Sequence, residues 1–205
     1  MTNEMMLQVI SEYLENGDTK IIVKTKEKLI EDIRKEQSLK KGNTVKDETL
    51  VKRLMKSAAD INSKLAAGYS TYNNKYAFID GYRLYILSND FGYPLLKDKM
   101  QEQSIKQILG DSYNYTITSK IDMEELKAFH AVAKAEKKIK EHLFEVVRGD
   151  CTSQYFNSEF LLEILTLYKT DTIYCKENLC DTVVTSTDFS GELGLLLPCR
   201  KPKNK

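Results

Sequence analysis

Apolar positions recur at helical spacing in five stretches of the chain and alternate with polar ones in most of the rest. Over residues 3–15, Met6, Ile10 and Leu14 predict a short helix stopped by Gly17. The β-branched run in "KIIVKT", residues 20–25, predicts a short strand. The next stretch, "KEKLIEDIRKEQSL", places Leu29, Ile30 and Ile33 on one face and charge elsewhere, as an amphipathic helix does. After the polar break "KKGNTVKD", a longer helix is expected from Asp47 to Ala67. Its stripe is Leu50, Leu54, Ala58, Ile61 and Leu65, and Gly68 ends it.

The pattern then changes period. "YSTYNNKYAFIDGYRLYIL", residues 69–87, is rich in Tyr and Ile and is punctuated by Asn73-Asn74 and Asp80-Gly81, which predicts a strand meander with two-residue turns. A short helix closed by Gly110 follows, then a strand over "YNYTITSK". Asp122, with Glu125 three residues on, opens a helix whose apolar face is Leu126, Phe129, Val132 and Ala133. "HLFEVV" is a strand. Asn157 or Ser158 caps the last helix, with Phe160, Leu161, Ile164, Leu165 and Tyr168 inward. Residues 171–199 are expected as three strands with turns near Glu177-Asn178 and Ser190-Gly191.

One unit therefore occurs twice, an amphipathic helix followed by a strand meander, at 47–88 and again at 157–199. This is likeness of pattern, not of residue identity. It predicts an α+β architecture of repeated units, with antiparallel sheets and helices on one face. The expected division is an N-terminal α+β domain over 1–115 and a C-terminal one over 116–205.

Composition narrows the function classes. The 31 basic and 30 acidic residues give a net charge of +1, so no global field draws the chain to nucleic acid. The first residues lack the basic and apolar regions of a signal peptide, and no window is apolar enough to span a membrane. With four cysteines and no export signal, a reducing, cytoplasmic setting is expected. Cys175 and Cys180 stand as C-x4-C, but the only histidines are His130 and His142, so ordinary thiols are expected, with no metal and no cofactor. No phosphate-binding glycine loop and no hydrolase or kinase motif occurs, and neither histidine has a partner that sequence can place. The expectation is a protein that is not an enzyme.

Two helix faces carry cations: Lys52, Arg53, Lys56 and Lys64 on one, Lys127, Lys134, Lys137 and Lys138 on the other. They read either as solvated faces of mixed charge or as a surface tracking the phosphates of duplex DNA. Asp60, Glu124, Glu125, Glu136 and Glu141 are interleaved with them.

Three segments carry a resemblance. "FIDGYRLYIL" resembles the T-D-G-H-R-L turn of the bacterial DNA sliding clamps, the processivity factors of replicative polymerases. "GLLLPCR" is similar to the last strand of those clamps, which ends in a V-M-P-M-R type sequence. Before it, "YFNSEFLLEILTLYKTDTIYC" resembles their final helix, F-N-x-x-Y-L-L-D-x-L, and the strand after it. Tyr82 stands where the family has His, and Cys199 replaces a larger apolar residue. The family has three domains per subunit, and this chain has room for at most two.

The resemblance implies half-units with helices lining a ring and sheets outside it. It also implies an apolar groove where short motifs of replication or repair proteins dock, formed by Gly81, Tyr82, Arg83, Leu84, Leu196, Leu197, Pro198, Cys199 and Arg200. A ring would require self-association into a homo-oligomer. The other readings are a monomeric protein-interaction module, of phage or mobile-element origin, that encircles nothing, and a small enzyme of unrecognised type. The sharpest structural expectation is that the turn at 80–84 lies against residues 196–200.

Overall fold

The computed structural model describes residues 3–17, 19–61, 68–96, 102–136, 142–178 and 181–200. The chain forms two compact units, residues 1–48 with 89–93, and residues 49–88 with 94–205. Residue 115, the expected boundary, falls inside the second unit, whose larger sheet takes strands from both sides of it.

The first unit contains helices α1 (Asn3–Asn16) and α2 (Thr19–Lys40), which pack on each other, and the start of α3 (Val45–Ile61). Gly17, at φ 65°, closes α1 with its N–H on the Tyr13 carbonyl. The strand expected over 20–25 does not form. Between Thr19 and Lys40 there is no Gly or Pro to interrupt a helix, so Ile21, Ile22 and Val23 continue the turn and their strand preference is overridden. Arg34 ties this unit together. Its guanidinium bonds both oxygens of Glu48, reaches the Phe91 carbonyl at 2.7 Å, and lies 4.2 Å from the centre of the Tyr93 ring.

In the second unit, α3 runs on with Leu50, Val51, Leu54, Met55 and Ala58 buried. The side chain of Ile61 and the whole of Leu65 lie outside the described residues. Strands β1 (Ser70–Tyr72), β2 (Lys75–Ile79) and β3 (Arg83–Leu87) form the first antiparallel meander. Asn73 and Asn74 both take positive φ at its first turn, as a type I′ turn requires. The second turn is shifted one residue from the sequence expectation. Asp80 and Arg83 close it, so its centre is Gly81 (φ 92°) and Tyr82.

Helix α4 (Glu102–Leu109) is followed by a 3-10 turn at Ser112–Asn114 and by β4 (Ile117–Lys120), so the Tyr113 and Tyr115 end of the expected strand is not extended. Asp122 caps α5 (Met123–Ala135) by accepting from the Glu124 and Glu125 N–H groups. On α5, Leu126 and Ala133 are buried, but Val132, assigned to the same apolar face, is exposed. A two-stranded ribbon, β5 (Leu143–Val147) and β6 (Ser153–Asn157), precedes α6 (Ser158–Leu167). β6 went unanticipated because "SQYFN" has no apolar alternation beyond Tyr155 and Phe156. The second meander is β7 (Thr172–Cys175), β8 (Val183–Val184) and β9 (Leu193–Leu196).

The two meanders join edge to edge through β3 and β9, giving the antiparallel order β1-β2-β3-β9-β8-β7-β4. Each meander follows a helix, α3 or α6, so the repeated unit is present and the fold is α+β. Helices are not confined to one face. Leu84 and Ile86 of β3 cluster with Ile105 and Leu109 of α4, whereas Arg83 and Tyr85 meet Glu163 of α6 and Tyr168, the residue that caps it. Side chains alternate along a strand, so α4 and α6 cover opposite faces at the junction. This is why β3 reads "RLYIL", with every residue buried instead of every second one. Gly194 on β9 lets α6 approach closely, since a Cβ there would lie 2.5 Å from atoms of Ile164 and Tyr168.

Candidate functional site

The 80–84 turn and the terminal strand meet. Arg83 is opposite Leu196 and Leu84 opposite Leu195 in register, and the Leu197 N–H donates to the Tyr82 carbonyl at 3.0 Å. Pro198 then interrupts the ladder, because it has no N–H to give. At Cys199 the chain changes partner, its N–H donating to the Tyr155 carbonyl at 2.7 Å on β6. The segment 197–199 thus bridges the large sheet and the β5–β6 ribbon.

An open groove of about 430 Å³ lies at this bridge, lined by Tyr82, Leu143, Asn157, Phe160, Leu197, Pro198, Cys199 and Arg200. Tyr82 is 46% exposed and Leu197 37%, an apolar surface presented to solvent. Of the nine residues that the resemblance implied, Tyr82, Leu197, Pro198, Cys199 and Arg200 line this groove, and Gly81 stands next to it in the turn. Leu84 and Leu196 are buried in the sheet interior, at 0% and 1% exposure.

Arg83 is placed differently from a rim arginine. It is 2% exposed, and Asp80 accepts from its Nε at 2.9 Å and its Nη2 at 2.6 Å. Its Nη1 bonds the Glu163 carboxylate, and the guanidinium lies 3.9 Å from the centre of the Phe160 ring. The other Glu163 oxygen accepts from Arg53 at 3.0 Å. Asp80 also accepts the Tyr82 and Arg83 backbone N–H groups at 2.9 and 2.8 Å, so the Asp-Gly turn, the arginine and α6 are one network. These groups face a second, charged cavity of about 450 Å³ lined by Arg53, Lys56, Ser57, Arg83, Glu159, Phe160 and Glu163. Phe160 is the wall common to both.

Leu143, Asn157 and Phe160 were not named as groove residues from sequence. Asn157 was visible only as a cap, a role it fills by accepting from the Glu159 and Phe160 N–H groups at 3.0 and 3.2 Å. Phe160 was assigned to the inward face of α6, and its half-buried ring instead divides the two cavities. Leu143 has no sequence signal, since its place depends on the β5–β6 pairing with Asn157.

Among the cations proposed to face DNA, Lys52, Arg53, Lys56, Lys127 and Lys134 are exposed. Arg53 is engaged by Glu163, and Lys127 bonds Glu124 at 2.6 Å. Lys64, Lys137 and Lys138 lie outside the described residues. His130 meets Ser158 Oγ at 3.2 Å, and among the described residues no group of His, Cys, Asp and Glu could hold a metal ion. No helix among them is long and apolar enough to cross a membrane. A polar cavity of about 420 Å³ between Tyr113, Asn114, Thr116 and Lys176 contains none of the candidate site residues.

No family model and no curated protein matches the chain. Solved structures do. One is the DNA polymerase III beta subunit of Thermotoga maritima, at 16% identity and a TM-score of 0.35, covering 62% of this chain and 42% of that one. Another, assigned as a DNA polymerase III beta subunit from Eubacterium rectale, matches at 15% identity and a TM-score of 0.37, over 61% of this chain and 41% of that one. The chain thus spans less than half the length of either structure.

Proposed function

We propose that this chain is a non-enzymatic, clamp-like docking protein that receives short segments of partner proteins in the groove between Tyr82 and residues 197–200. The carrying observation is the groove itself, where an apolar surface formed by Tyr82, Leu197 and Pro198 is left open beside the junction of β3 and β9. An apolar pocket with a few polar groups at its margin suits anchoring by one or two bulky side chains. The partners that fit the resemblance are replication or repair proteins. The direct test is capture of peptide-bearing partners by the intact chain. Leu197→Asp or Tyr82→Ala should abolish capture without changing the melting temperature. Capture that survives both changes would overturn the reading.

Contact with duplex DNA is a separate part of the proposal, with Lys52, Arg53, Lys56, Lys127 and Lys134 as its exposed cations. Encirclement would need several copies of the chain. A protein that stays a monomer and ignores duplex DNA at low ionic strength would leave the docking role and remove the processivity role. A monomeric interaction module is favoured to that extent by the acids that hold Arg53 and Lys127.

A further inference from the structure

The helical hairpin of the first unit has little core of its own. Among the described side chains of that unit, Phe91 is the one apolar residue that is buried, and the other buried groups are Arg34, Ser38, Asn43 and Glu48. α1 and α2 pack on each other, yet Met6, Val9 and Tyr13 of α1 and Ile22 and Leu29 of α2 are only half-buried. Val23, Ile30 and Ile33 of α2 are 47–57% exposed, and Met5 and Ile10 of α1 are exposed too. A helix in a protein draws most of its stability from packing an amphipathic face, and a cluster of apolar side chains left in water marks a place of association.

The exposed residues of α2 have an order. Val23, Lys26, Ile30, Ile33 and Gln37 follow the alternating three- and four-residue spacing of a coiled-coil seam, and all five are exposed. β-branched side chains at 23 and 30 suit knobs-into-holes packing, so the seam fits another helix. Charge selects which helix. α1 carries Glu4, Glu12 and Glu15 and no cation. α2 carries seven cations against four acids, with Lys20, Lys24, Lys26 and Lys28 in its first half. Glu15, Lys24, Lys26 and Lys28 are exposed. A surface that holds one acidic and one basic helix is its own complement under a two-fold rotation, which sets α1 of each copy on α2 of the other.

We propose that the α1–α2 hairpin is a self-association surface, on which a second copy of this chain seats its own hairpin to form a four-helix bundle. Each α2 seam receives the partner's α1, and Lys26, inside the seam, has the acids of that helix to pair with. The interface lies within the first unit, so it uses neither the groove nor an edge of either sheet. It stands whether or not the groove docks peptides.

Sedimentation velocity of the full chain over a concentration series reads the association, with circular dichroism as the check on helix content. The unaltered chain should run as a dimer at micromolar concentration and dissociate on dilution. Ile30→Glu and Ile33→Glu change exposed positions of an uninterrupted helix, so the fold is retained, and each should weaken the pair by about tenfold or more. Val147→Glu, at an exposed position on β5 of the second unit, should leave it unchanged. The charge variants are more specific. Lys24→Glu with Lys28→Glu makes both helices acidic, and Glu12→Lys with Glu15→Lys makes both basic. Each double variant should be monomeric alone, and an equimolar mixture of the two should recover the dimer. A chain that is monomeric throughout the series, a dimer indifferent to Ile30→Glu and Ile33→Glu, or double variants that do not recover on mixing would overturn the proposal. So would a different protein, or an anionic vesicle, held on this face by a chain that stays monomeric.

Discussion

Arg83 on β3 and Glu163 on α6 form a buried ion pair across the face of the sheet, with side chains 2% and 6% exposed. The pair fixes α6 over the joint between the meanders and holds Phe160 between an apolar groove and a charged cavity. The arginine beside the Asp-Gly turn is thus an internal cross-link, and the part of that turn that lines the groove is Tyr82.

Removing one partner of this pair leaves charge buried without compensation. Arg83→Ala strands both Asp80 and Glu163, and the expected loss is about 3–5 kcal/mol in a urea titration. Arg53 is the outer, exposed partner of Glu163, and Arg53→Ala should cost less than about 1 kcal/mol. Equal losses from the two changes would show that the inner pair is not the one that counts.

Close approach of α6 to β9 depends on Gly194. A methyl group there meets Ile164 and Tyr168, so Gly194→Ala should destabilise the protein by about 1–3 kcal/mol. Adding Ile164→Val should recover part of the loss by removing a methyl from that contact, read as a partial return of the thermal midpoint.

Burial pushes the phenols of Tyr85 and Tyr168 upward, and neighbouring charge modifies the shift. A group whose folded pKa lies above its unfolded value stabilises the fold fully below the unfolded pKa. That stability is lost as pH rises, here above about pH 10. Ultraviolet titration should show part of the 12 tyrosines ionising early and Tyr85 and Tyr168 ionising only with unfolding. Smooth titration of every tyrosine in a protein that stays folded would contradict this.

The cysteines should separate by access. Cys151 is exposed, Cys199 is half-buried in the groove, and burial holds the Cys175 thiol above its usual pKa. In variants retaining one cysteine, a thiol reagent should modify Cys151 fastest, Cys199 more slowly and Cys175 only on unfolding. A docked peptide should protect Cys199 and leave the Cys151 rate unchanged.

Local pattern determined the helices, the two meanders and the caps. The stripes on α3 and α6, the paired asparagines at 73–74, and Asp122 and Asn157 before their helices act through neighbours in sequence, where period and side-chain chemistry suffice. The contact between the 80–84 turn and the terminal strand was readable through two separate motifs. Tertiary structure decided the rest. Strand preference at 20–25 yielded to an unbroken helix packed on α1, and β6 exists because β5 is there to pair with it. Whether Arg83 meets a ligand or Glu163 depends on where α6 lies, a partner 80 residues away. The groove likewise joins Tyr82, Leu143, Asn157 and Leu197 from separate elements. Such a surface has no period in the sequence, because its members share a place only after the strands have paired.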